Sequence, residues 1–391
     1  MFFKKRPRWI SEENWRKWLW RRDRGKQLRR QVGRYLVNPK LGSAYSAYRR
    51  AIRTRDWELV RERVQVVAAL ADSCGHWITV KEMISAWSQL GDYEESQRLW
   101  LNRLNRMPKT FPNEWQGEDL TGKNVLVQLH PSNRQGLSVG YRRARLMGRV
   151  IEPARRVAVN VESRLVETFR RSFPSIEMWD STADLNGDEF DFVILPDRMM
   201  AHFLPTTIEP NKPGDFLVPD QALVKQLRKK YLADSRCRGS KQLIGVCWHS
   251  SHFAKDSPSL EHWAGLMGRV DAGFVSLQYG DVDSHISVLG RGNIIVDEAV
   301  DQLVDMDVFA AQVAALDGVI TIVNTLAHVG GALNVPTVVV RDDMLRREWP
   351  VTSDRTPWYP QVRIAGKDGR NWDEVLDEAW GKLREMTGVP R

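Results

Sequence analysis

The chain has 391 residues, of which 42% are hydrophobic, so it is long enough for two or three domains with sizeable cores. Its formal net charge is +9, yet residues 1–34 hold 13 Lys and Arg against three acidic residues. The excess charge therefore lies at the N-terminus and predicts an anionic partner. The three cysteines are far apart in the sequence, which excludes a disulfide framework and indicates a reducing compartment.

The sequence contains no uninterrupted apolar run of about 18 residues, so we expect no transmembrane helix. The N-terminus is charged from Lys4 onward and has no apolar core, which is not the pattern of a secretory signal. These two features predict a cytoplasmic protein.

Residues 1–40 form an Arg- and Trp-rich segment that predicts a helix, with Ser11 as a candidate N-cap and Asn38-Pro39 as its end. Interleaved Arg and Trp suit an anionic membrane surface, which would make the protein peripheral at the inner face of the membrane. The same composition suits another polyanion such as nucleic acid. A helix packed on the next region, with an Arg-rich outer face, fits equally well.

Residues 41–112 predict helical hairpins, because apolar-periodic helices flank two small polar turns. The turns begin at Arg55 and Gly91, which are 36 residues apart. This spacing is close to the tetratricopeptide period of about 34 residues. A generic helical bundle explains the pattern equally well, and both interpretations remain open.

Strands and helices alternate after the helical region. β-Branched apolar runs occur at 124–130, 155–163 and 190–196, and helical stretches lie between them. This alternation predicts a parallel sheet covered by helices, in a domain spanning 118–235.

The alternation restarts in a second domain spanning 240–391. Two such units in tandem imply a cleft, and open parallel sheets bind ligands at the carboxyl ends of their strands. The strands of this second unit are predicted at 242–248, 272–278, 293–297, 317–323 and 337–341.

The segment Val323–Pro336 reads "VNTLAHVGGALNVP" and follows a buried strand. Asn324 can cap a helix that begins at Thr325, while Asn334 suits a left-handed stop and Pro336 prevents continuation. The free backbone N–H groups at the start of this helix would form an anion site at the cleft.

His328 lies one turn into the same predicted helix and shares a face with Thr325. Gly330 and Gly331 remove side chains, which lets the helix approach the sheet or a ligand closely. The spacing is also compatible with a buried histidine bonded to a backbone carbonyl. Taken alone, the segment favours that structural role for His328.

Lys255 follows the predicted strand 242–248 and precedes a helix at 259–270. A lysine between a strand end and a helix start can act as a point charge for phosphate, although taken alone this position favours an ordinary solvated lysine. His249 and His252 have no acidic or cysteine partner at convincing spacing, so we expect no metal site.

These two sites, together with the downstream block Thr356-Pro357-Trp358-Tyr359-Pro360, resemble the C-terminal half of GT-B glycosyltransferases. The similar group is the bacterial tetratricopeptide-linked one, related to heptosyltransferases (family 9) and O-GlcNAc transferases (family 41). The resemblance covers roughly residues 43–380 and is strongest over 243–375.

The resemblance implies an α/β fold of the GT-B type, with two Rossmann-like domains facing across a cleft and a tetratricopeptide-like region before them. It also implies that the last helix, from Trp372, crosses back to the first domain. The implied reaction, in a bacterial or phage setting, transfers a sugar from a UDP-, ADP- or GDP-sugar to a hydroxyl without a metal or other cofactor. The acceptor would be a glycan, a lipid-linked glycan or a protein.

The resemblance also assigns roles to individual residues of the second domain. Lys255 matches a lysine that contacts the donor diphosphate, and the helix start holds the diphosphate and sugar. The remaining positions line the pocket or lie near the base and ribose. The implied donor-binding residues are Trp248, His249, Lys255, Gln278, Tyr279, Asn324, Thr325 and His328.

One departure concerns the candidate catalytic base. The family commonly has a Gly-Asp pair where this sequence has Ser138 and Val139. Either another group takes the acceptor proton, with His130 and His202 as candidates, or the module is catalytically inactive. In that second interpretation the protein is a binding or scaffold protein that acts through its repeats and basic N-terminus.

Overall fold

The computed structural model describes residues 33–34, 37–129, 137–183, 186–207, 216–237, 240, 242–250, 256–280, 282–290, 294–343 and 349–388. Residues 1–32 of the predicted N-terminal helix, His130 and Lys255 lie outside these residues. The side chains of Ser138 and Val139 are likewise outside the description, although their backbone is helical. No helix among the described residues is both long and apolar enough to cross a membrane.

Among the described residues 39–105, four helices follow one another, and each packs on the next one along the chain. Polar caps set their starts: the Asn38 side chain accepts the Lys40 N–H at 2.9 Å, and Asp56 accepts the Leu59 N–H at 3.0 Å. The helical prediction is confirmed, whereas the choice between tetratricopeptide repeats and a generic bundle stays open. The helices are α1 Pro39–Thr54, α2 Trp57–Ser73, α3 Trp77–Gln89 and α4 Tyr93–Asn105.

The first α/β unit contains a four-stranded parallel sheet of order β3-β2-β1-β4. Three of its strands match the predicted runs, but β3 was missed because "EMWD" lacks a β-branched run and its place depends on pairing with β2. The elements are β1 Asn124–Gln128, α5 Leu137–Ala144, α6 Gly148–Ile151, β2 Arg156–Val161, α7 Val166–Ser172, β3 Glu177–Asp180, β4 Phe192–Ile194 and α8 Pro196–Phe203.

The second unit contains a six-stranded parallel sheet of order β10-β9-β8-β5-β6-β7. Strands β5, β6, β8 and β9 are buried along their whole length, as expected for a sheet covered on both faces. The sequence did not predict β10. The elements are α9 Gln221–Leu232, β5 Leu243–Cys247, α10 Leu260–Arg269, β6 Gly273–Ser276, α11 Asp283–Leu289, β7 Ile294–Ile295, α12 Met306–Ala314, β8 Gly318–Ile322, α13 Thr325–Ala332, β9 Thr337–Arg341, β10 Val362–Gly366 and α14 Trp372–Thr387.

Two helices pack differently from the sequence prediction. Helix α9, which the sequence placed in the first domain, packs on α12, and Arg228 bonds the Asp317 carboxylate at 2.9 Å. Helix α14, which the resemblance implies crosses back to the first domain, has its most numerous described contacts within the second unit. Its buried stripe, which includes Val375 and Leu383, packs on β8, β9 and β10 of the second sheet.

The carboxyl edges of the two sheets face each other. Helix α5 follows β1, helix α13 follows β8, and these two helices pack together. Farther along the boundary, Arg171 of α7 donates two hydrogen bonds of 2.7 Å to Asp307 of α12. Thr168 donates to the same carboxylate at 2.8 Å. The two α/β units are therefore joined by the packing of α5 on α13 and by the contacts of α7 with α12.

The helical region contacts both α/β units. On the first unit, the Gln97 side chain donates to the His202 carbonyl at 3.2 Å. On the second, the Val351 N–H donates to the Gln89 carbonyl at 2.8 Å, and the Thr352 hydroxyl donates to the Leu90 carbonyl at 3.0 Å. The turn between α3 and α4 therefore contacts the segment that leads to residues 356–360, which we call the Trp-Tyr-Pro block.

Gly331→Ala is expected to destabilise the protein by about 1–3 kcal/mol, because an added Cβ would collide with the Tyr359 ring. The matched control is Gly381→Ala within α14, where an added Cβ meets no atom within 4 Å. That control should be neutral or stabilising by about 1 kcal/mol, since alanine is the better helix former. Urea unfolding of the two variants measures the difference, and equal midpoints would contradict the packing described for Gly331.

Candidate functional site

Helix α13 begins at the carboxyl end of β8, and Asn324 fixes its start. The Asn324 Oδ1 atom accepts the Leu326 N–H at 3.0 Å and the Thr321 hydroxyl at 3.1 Å. The predicted cap and the helix start at Thr325 are confirmed. Asn334 has the predicted left-handed backbone, with φ of 59°. The other N–H groups of the first turn have no partner within the helix, which is the arrangement that favours an anion.

A polar network, which we call the Gln278 network, joins α13 to the two neighbouring strand ends. The Asn324 Nδ2 atom donates to the Cys247 sulfur at 3.0 Å, and the Cys247 thiol donates to Gln278 Oε1 at 3.2 Å. Gln278 Oε1 also accepts the His249 N–H at 2.8 Å, while its Nε2 atom donates to the Tyr279 carbonyl at 3.2 Å. Four residues that the sequence implicated in donor binding therefore lie together at the carboxyl ends of β5, β6 and β8.

Cys247 links this network, and the sequence analysis did not select it. It is the last residue of β5, so its side chain is placed beside those of the adjacent strands β6 and β8. Its position at a strand end was the available signal, but a single buried cysteine is more often a small core residue.

Trp248 and His249 extend the site toward α11. The buried Trp248 indole donates to His285 Nδ1 at 3.2 Å. The His249 and His285 rings lie 5.9 Å apart between centroids. His285 was also missed by the sequence analysis, because its place in the site depends on how α11 packs beside β5 and β6. Together these rings form an aromatic wall next to the Gln278 network.

His328 is 2% exposed and lies within an aromatic cluster. Its Nδ1 atom is 3.1 Å from the Tyr359 hydroxyl, and its ring centroid lies 5.3 Å from that of Trp349. Burial lowers the pKa of His328 well below its usual 6.5, and the nearby Arg142 charge lowers it further. The side chain is therefore a neutral imidazole whose described hydrogen bond goes to a side-chain hydroxyl.

The Trp-Tyr-Pro block, together with Trp349 upstream of it, forms the other side of this cluster. Trp349, Trp358 and Tyr359 are each at most 3% exposed. The Tyr359 ring packs against Gly331, where a side chain would collide with it. The second glycine, Gly330, similarly allows close packing on Thr337 of β9. The two glycines thus bring α13 against both the sheet and the block.

His202 lies at the contact between the first unit and the helical region. Its ring packs on Trp115, with centroids 4.6 Å apart, and against Gly117. Burial lowers the pKa of His202, and the charge of Arg198 lowers it further. None of its described contacts is with the Gln278 network, so the structure does not bring these two sets of residues together.

The described part of the chain contains no group of three or more His, Cys, Asp or Glu side chains arranged to hold a metal ion. The described site offers backbone N–H groups, imidazoles, amides and an indole. These groups suit a polar organic ligand with an anionic part.

Two Rossmann-like units with facing carboxyl edges, preceded by a helical region, define the architecture as GT-B. No family model matches the sequence. The chain is 26% identical over 297 residues to protein FlbA of Caulobacter vibrioides, covering 70% of this chain and 48% of that protein. It thus spans about half the length of this curated relative.

Solved structures with a similar fold include a family 9 glycosyl transferase from Veillonella parvula, with TM-score 0.48, 13% identity, and coverage of 68% of this chain and 99% of that one. ADP-heptose LPS heptosyltransferase II from E. coli gives a TM-score of 0.49 and 11% identity, over 68% of this chain and 100% of that one. An O-GlcNAc transferase variant from Thermobaculum terrenum gives 0.35 and 13% identity, over 90% of this chain and 87% of that one.

The buried neutral state of His328 predicts a pH-dependent stability. Below pH 6.5 the unfolded chain binds a proton that folded His328 does not, so the free energy of unfolding falls as the pH falls. This group alone contributes up to about 1.4 kcal/mol per pH unit. In urea unfolding between pH 7 and 5, His328→Gln should therefore show a shallower pH slope than the wild type.

The control for this measurement is His262→Gln on the surface of α10. His262 completes a capping box with Ser259, and glutamine is a preferred residue at that position. This variant removes an imidazole from the surface of α10 and provides the reference slope with which that of His328→Gln is compared. A His328→Gln slope as steep as that of the wild type would contradict the assignment of a neutral buried imidazole.

Proposed function

We propose that the protein is a glycosyltransferase that binds a nucleotide sugar in its second α/β unit and transfers the sugar to an acceptor hydroxyl. One observation carries the proposal: the Asn324-capped start of α13 lies at a carboxyl edge beside the Gln278 network, facing α5. This is where an open parallel sheet binds a ligand, and the helix start favours its anionic part.

The donor diphosphate lies at the first turn of α13, where Thr325 and the free N–H groups contact it. Lys255, which follows β5 in the sequence, contacts the same diphosphate as a point charge. The next residue, Asp256, is held in place, since its carboxylate accepts hydrogen bonds from Lys367 and from the Trp372 indole. The base and ribose lie against Gln278 and Tyr279.

Trp248 and His249 complete the donor pocket. Trp248 is held by its hydrogen bond to His285, and the His249 backbone is held by Gln278. His328 lies behind the first turn of α13 as a neutral hydrogen-bonding group next to the sugar. A preorganised site of this kind loses little free energy to reorganisation when the donor binds.

In the reaction, an acceptor oxygen attacks the anomeric carbon, and the bond from that carbon to the diphosphate oxygen breaks. The negative charge that develops on the leaving diphosphate is stabilised by the helix start and by Lys255. These groups supply the charge that a metal would otherwise provide, so we propose a metal-independent reaction.

The acceptor hydroxyl must lose its proton to a base. That base is not the aspartate common in similar enzymes, because Val139 occupies its position. His130 and His202 are the candidates. We favour His130, since it follows β1 within two residues, at the edge that faces α13. His202 contacts the helical region, so it would act on an acceptor presented from that side.

The helical region and the first unit present the acceptor, which is a glycan, a lipid-linked glycan or a protein. The basic N-terminal segment joins the helical region at Arg34, whose guanidinium bonds Thr79 at 2.7 Å and lies 3.6 Å from the centre of the Tyr45 ring. We propose that this segment binds an anionic membrane surface or another polyanion. The protein would then act in the cytoplasm, at the inner face of the membrane.

The replacement of the family's aspartate by Val139 favours a second candidate function. In this alternative the GT-B module has lost catalysis, and it binds a nucleotide sugar as part of a scaffold. The two functions share the donor site and differ only in turnover.

A donor screen tests the proposal. The full chain is incubated with UDP-, GDP- and ADP-sugars, and thermal stability and slow donor hydrolysis are followed with and without EDTA. We expect one nucleotide class to raise the melting temperature, and hydrolysis to continue in EDTA. Stabilisation without turnover, also with candidate acceptors, would favour the scaffold, and no stabilisation by any nucleotide would refute both functions.

Lys255→Ala should weaken binding of the active nucleotide at least about tenfold, because a charge-assisted contact to phosphate is lost. His328→Ala should weaken it as well, with a smaller effect on a correctly folded protein. Isothermal titration measures both affinities. Lys225→Ala on the exposed face of α9 is the matched control and should bind like the wild type. Wild-type affinity in Lys255→Ala would remove that lysine from the site.

A further inference from the structure

Cys247 lies on the middle one of the three strands whose ends form the proposed donor site. In the second sheet β5 lies between β8 and β6, and Cys247 is the last residue of β5. Its register partner on β8 is Thr321, and its side chain is 1% exposed. A group at this position can contact the residues that follow β8 on one side and those that follow β6 on the other.

On the β8 side, Cys247 fixes the orientation of the Asn324 amide. Its sulfur accepts a hydrogen bond from Asn324 Nδ2 at 3.0 Å, while Oδ1 of the same amide accepts the Leu326 N–H at 3.0 Å. If the amide were turned over, Nδ2 would lie against the Leu326 N–H, donor against donor. The Cys247 sulfur therefore favours the one orientation in which the cap of α13 forms.

On the β6 side, Cys247 fixes the orientation of the Gln278 amide. The thiol donates to Gln278 Oε1 at 3.2 Å, which is closer than its other acceptor, the His249 carbonyl at 3.7 Å. Oε1 also accepts the His249 N–H at 2.8 Å. The Nε2 end of the amide is thereby directed to the Tyr279 carbonyl, to which it donates at 3.2 Å.

A thiol can connect two amides in this way because it both accepts and donates hydrogen bonds. The sulfur accepts from Asn324, and its single hydrogen goes to Gln278. The donors and acceptors therefore alternate from one amide to the other, and turning either amide over would place donor against donor. Serine has the same two capacities, whereas alanine has neither.

The two amides hold different parts of the proposed donor pocket. Asn324 sets the first turn of α13, where the proposed function places the diphosphate. Gln278 holds the backbone of His249 and Tyr279, where it places the base and ribose. Covalent bonds fix the length of a nucleotide, so both parts bind it at once only when their separation is fixed as well. Cys247 connects them directly.

We propose that Cys247 is a positioning residue of the nucleotide site, which holds the start of α13 and the Gln278 amide in the relative arrangement that the donor requires. The identity of the ligand as a nucleotide rests on the proposed function. The orientation of the two amides is a property of the folded chain and does not depend on that function. Cys247 acts through its neighbours and is itself buried.

Isothermal titration of cysteine variants of the full chain with UDP, GDP and ADP tests the proposal. Cys247→Ala removes both hydrogen bonds and should weaken binding of the preferred nucleotide about threefold to tenfold. Cys247→Ser removes the same sulfur but retains a donor and an acceptor, so it should bind within about twofold of the wild type.

Cys237→Ala is the matched control. Cys237 is also 1% exposed, and its thiol donates to the Tyr231 carbonyl at 2.9 Å, outside the Gln278 network. This variant loses a buried thiol and its hydrogen bond, so its melting temperature should fall. Its nucleotide affinity should stay at the wild-type value, which separates positioning of the site from a general loss of stability.

A second measurement needs no ligand. Hydrogen exchange followed by mass spectrometry reports on the Leu326 N–H, which Asn324 caps, in a peptide that covers the start of α13. Cys247→Ala should speed exchange in this peptide about threefold or more, because the cap opens more often. Cys247→Ser and Cys237→Ala should exchange there like the wild type.

A double variant tests whether Cys247 acts through Asn324. Residues in one hydrogen-bond network have effects that do not add. The loss of affinity in Cys247→Ala combined with Asn324→Ala should therefore be smaller than the product of the two single losses. A loss equal to that product would show that the two residues act independently and would contradict the connection.

Wild-type affinity in Cys247→Ala would overturn the proposal, as would wild-type exchange at the start of α13 in that variant. A Cys247→Ser variant that binds as weakly as Cys247→Ala would also overturn it, since hydrogen bonding would then not be the cause. The absence of binding of every nucleotide to the wild type would refute the glycosyltransferase function. Faster exchange in Cys247→Ala would in that case still support the orientation of the helix cap by the thiol.

Discussion

The contact of Tyr359 with Gly331 is the constraint on which the rest of the site depends. The aromatic ring occupies the space that a side chain at Gly331 would fill, so α13 lies directly against the Trp-Tyr-Pro block. The same tyrosine places its hydroxyl 3.1 Å from His328. This close packing places the helix against the block, and the burial of the imidazole lowers the pKa of His328.

From this contact the block reaches the other parts of the chain. Trp358 lies against Arg142 of the first unit, while Val351 and Thr352 bond the carbonyls of Gln89 and Leu90. One buried apolar cluster includes side chains from both α/β units and from the block. The block therefore connects the helical region to α13 through packed side chains.

The charges around the start of α13 are positive. The start of α13 carries a partial positive charge, and Arg142 places a full charge beside it. His328 remains neutral in this environment, since burial and the guanidinium both oppose a second positive charge.

The sequence by itself determined the elements with strong local signals. The β-branched runs of β1, β2, β5, β8 and β9, and the capped helix from Thr325 with its left-handed stop at Asn334, were predicted because these signals act over a few residues. The grouping of Asn324 with Gln278 was also predictable, since carboxyl ends of parallel strands share an edge.

Only the tertiary structure decided the features that depend on pairing and packing. Strand β3 forms because β2 offers it a hydrogen-bonding edge, and α9 and α14 take their places because their apolar stripes match the second unit. The roles of Cys247 and His285 and the burial of His328 likewise arise from side chains distant in sequence. Local propensity carries no information about such contacts, because their free energy exists only once the units have docked.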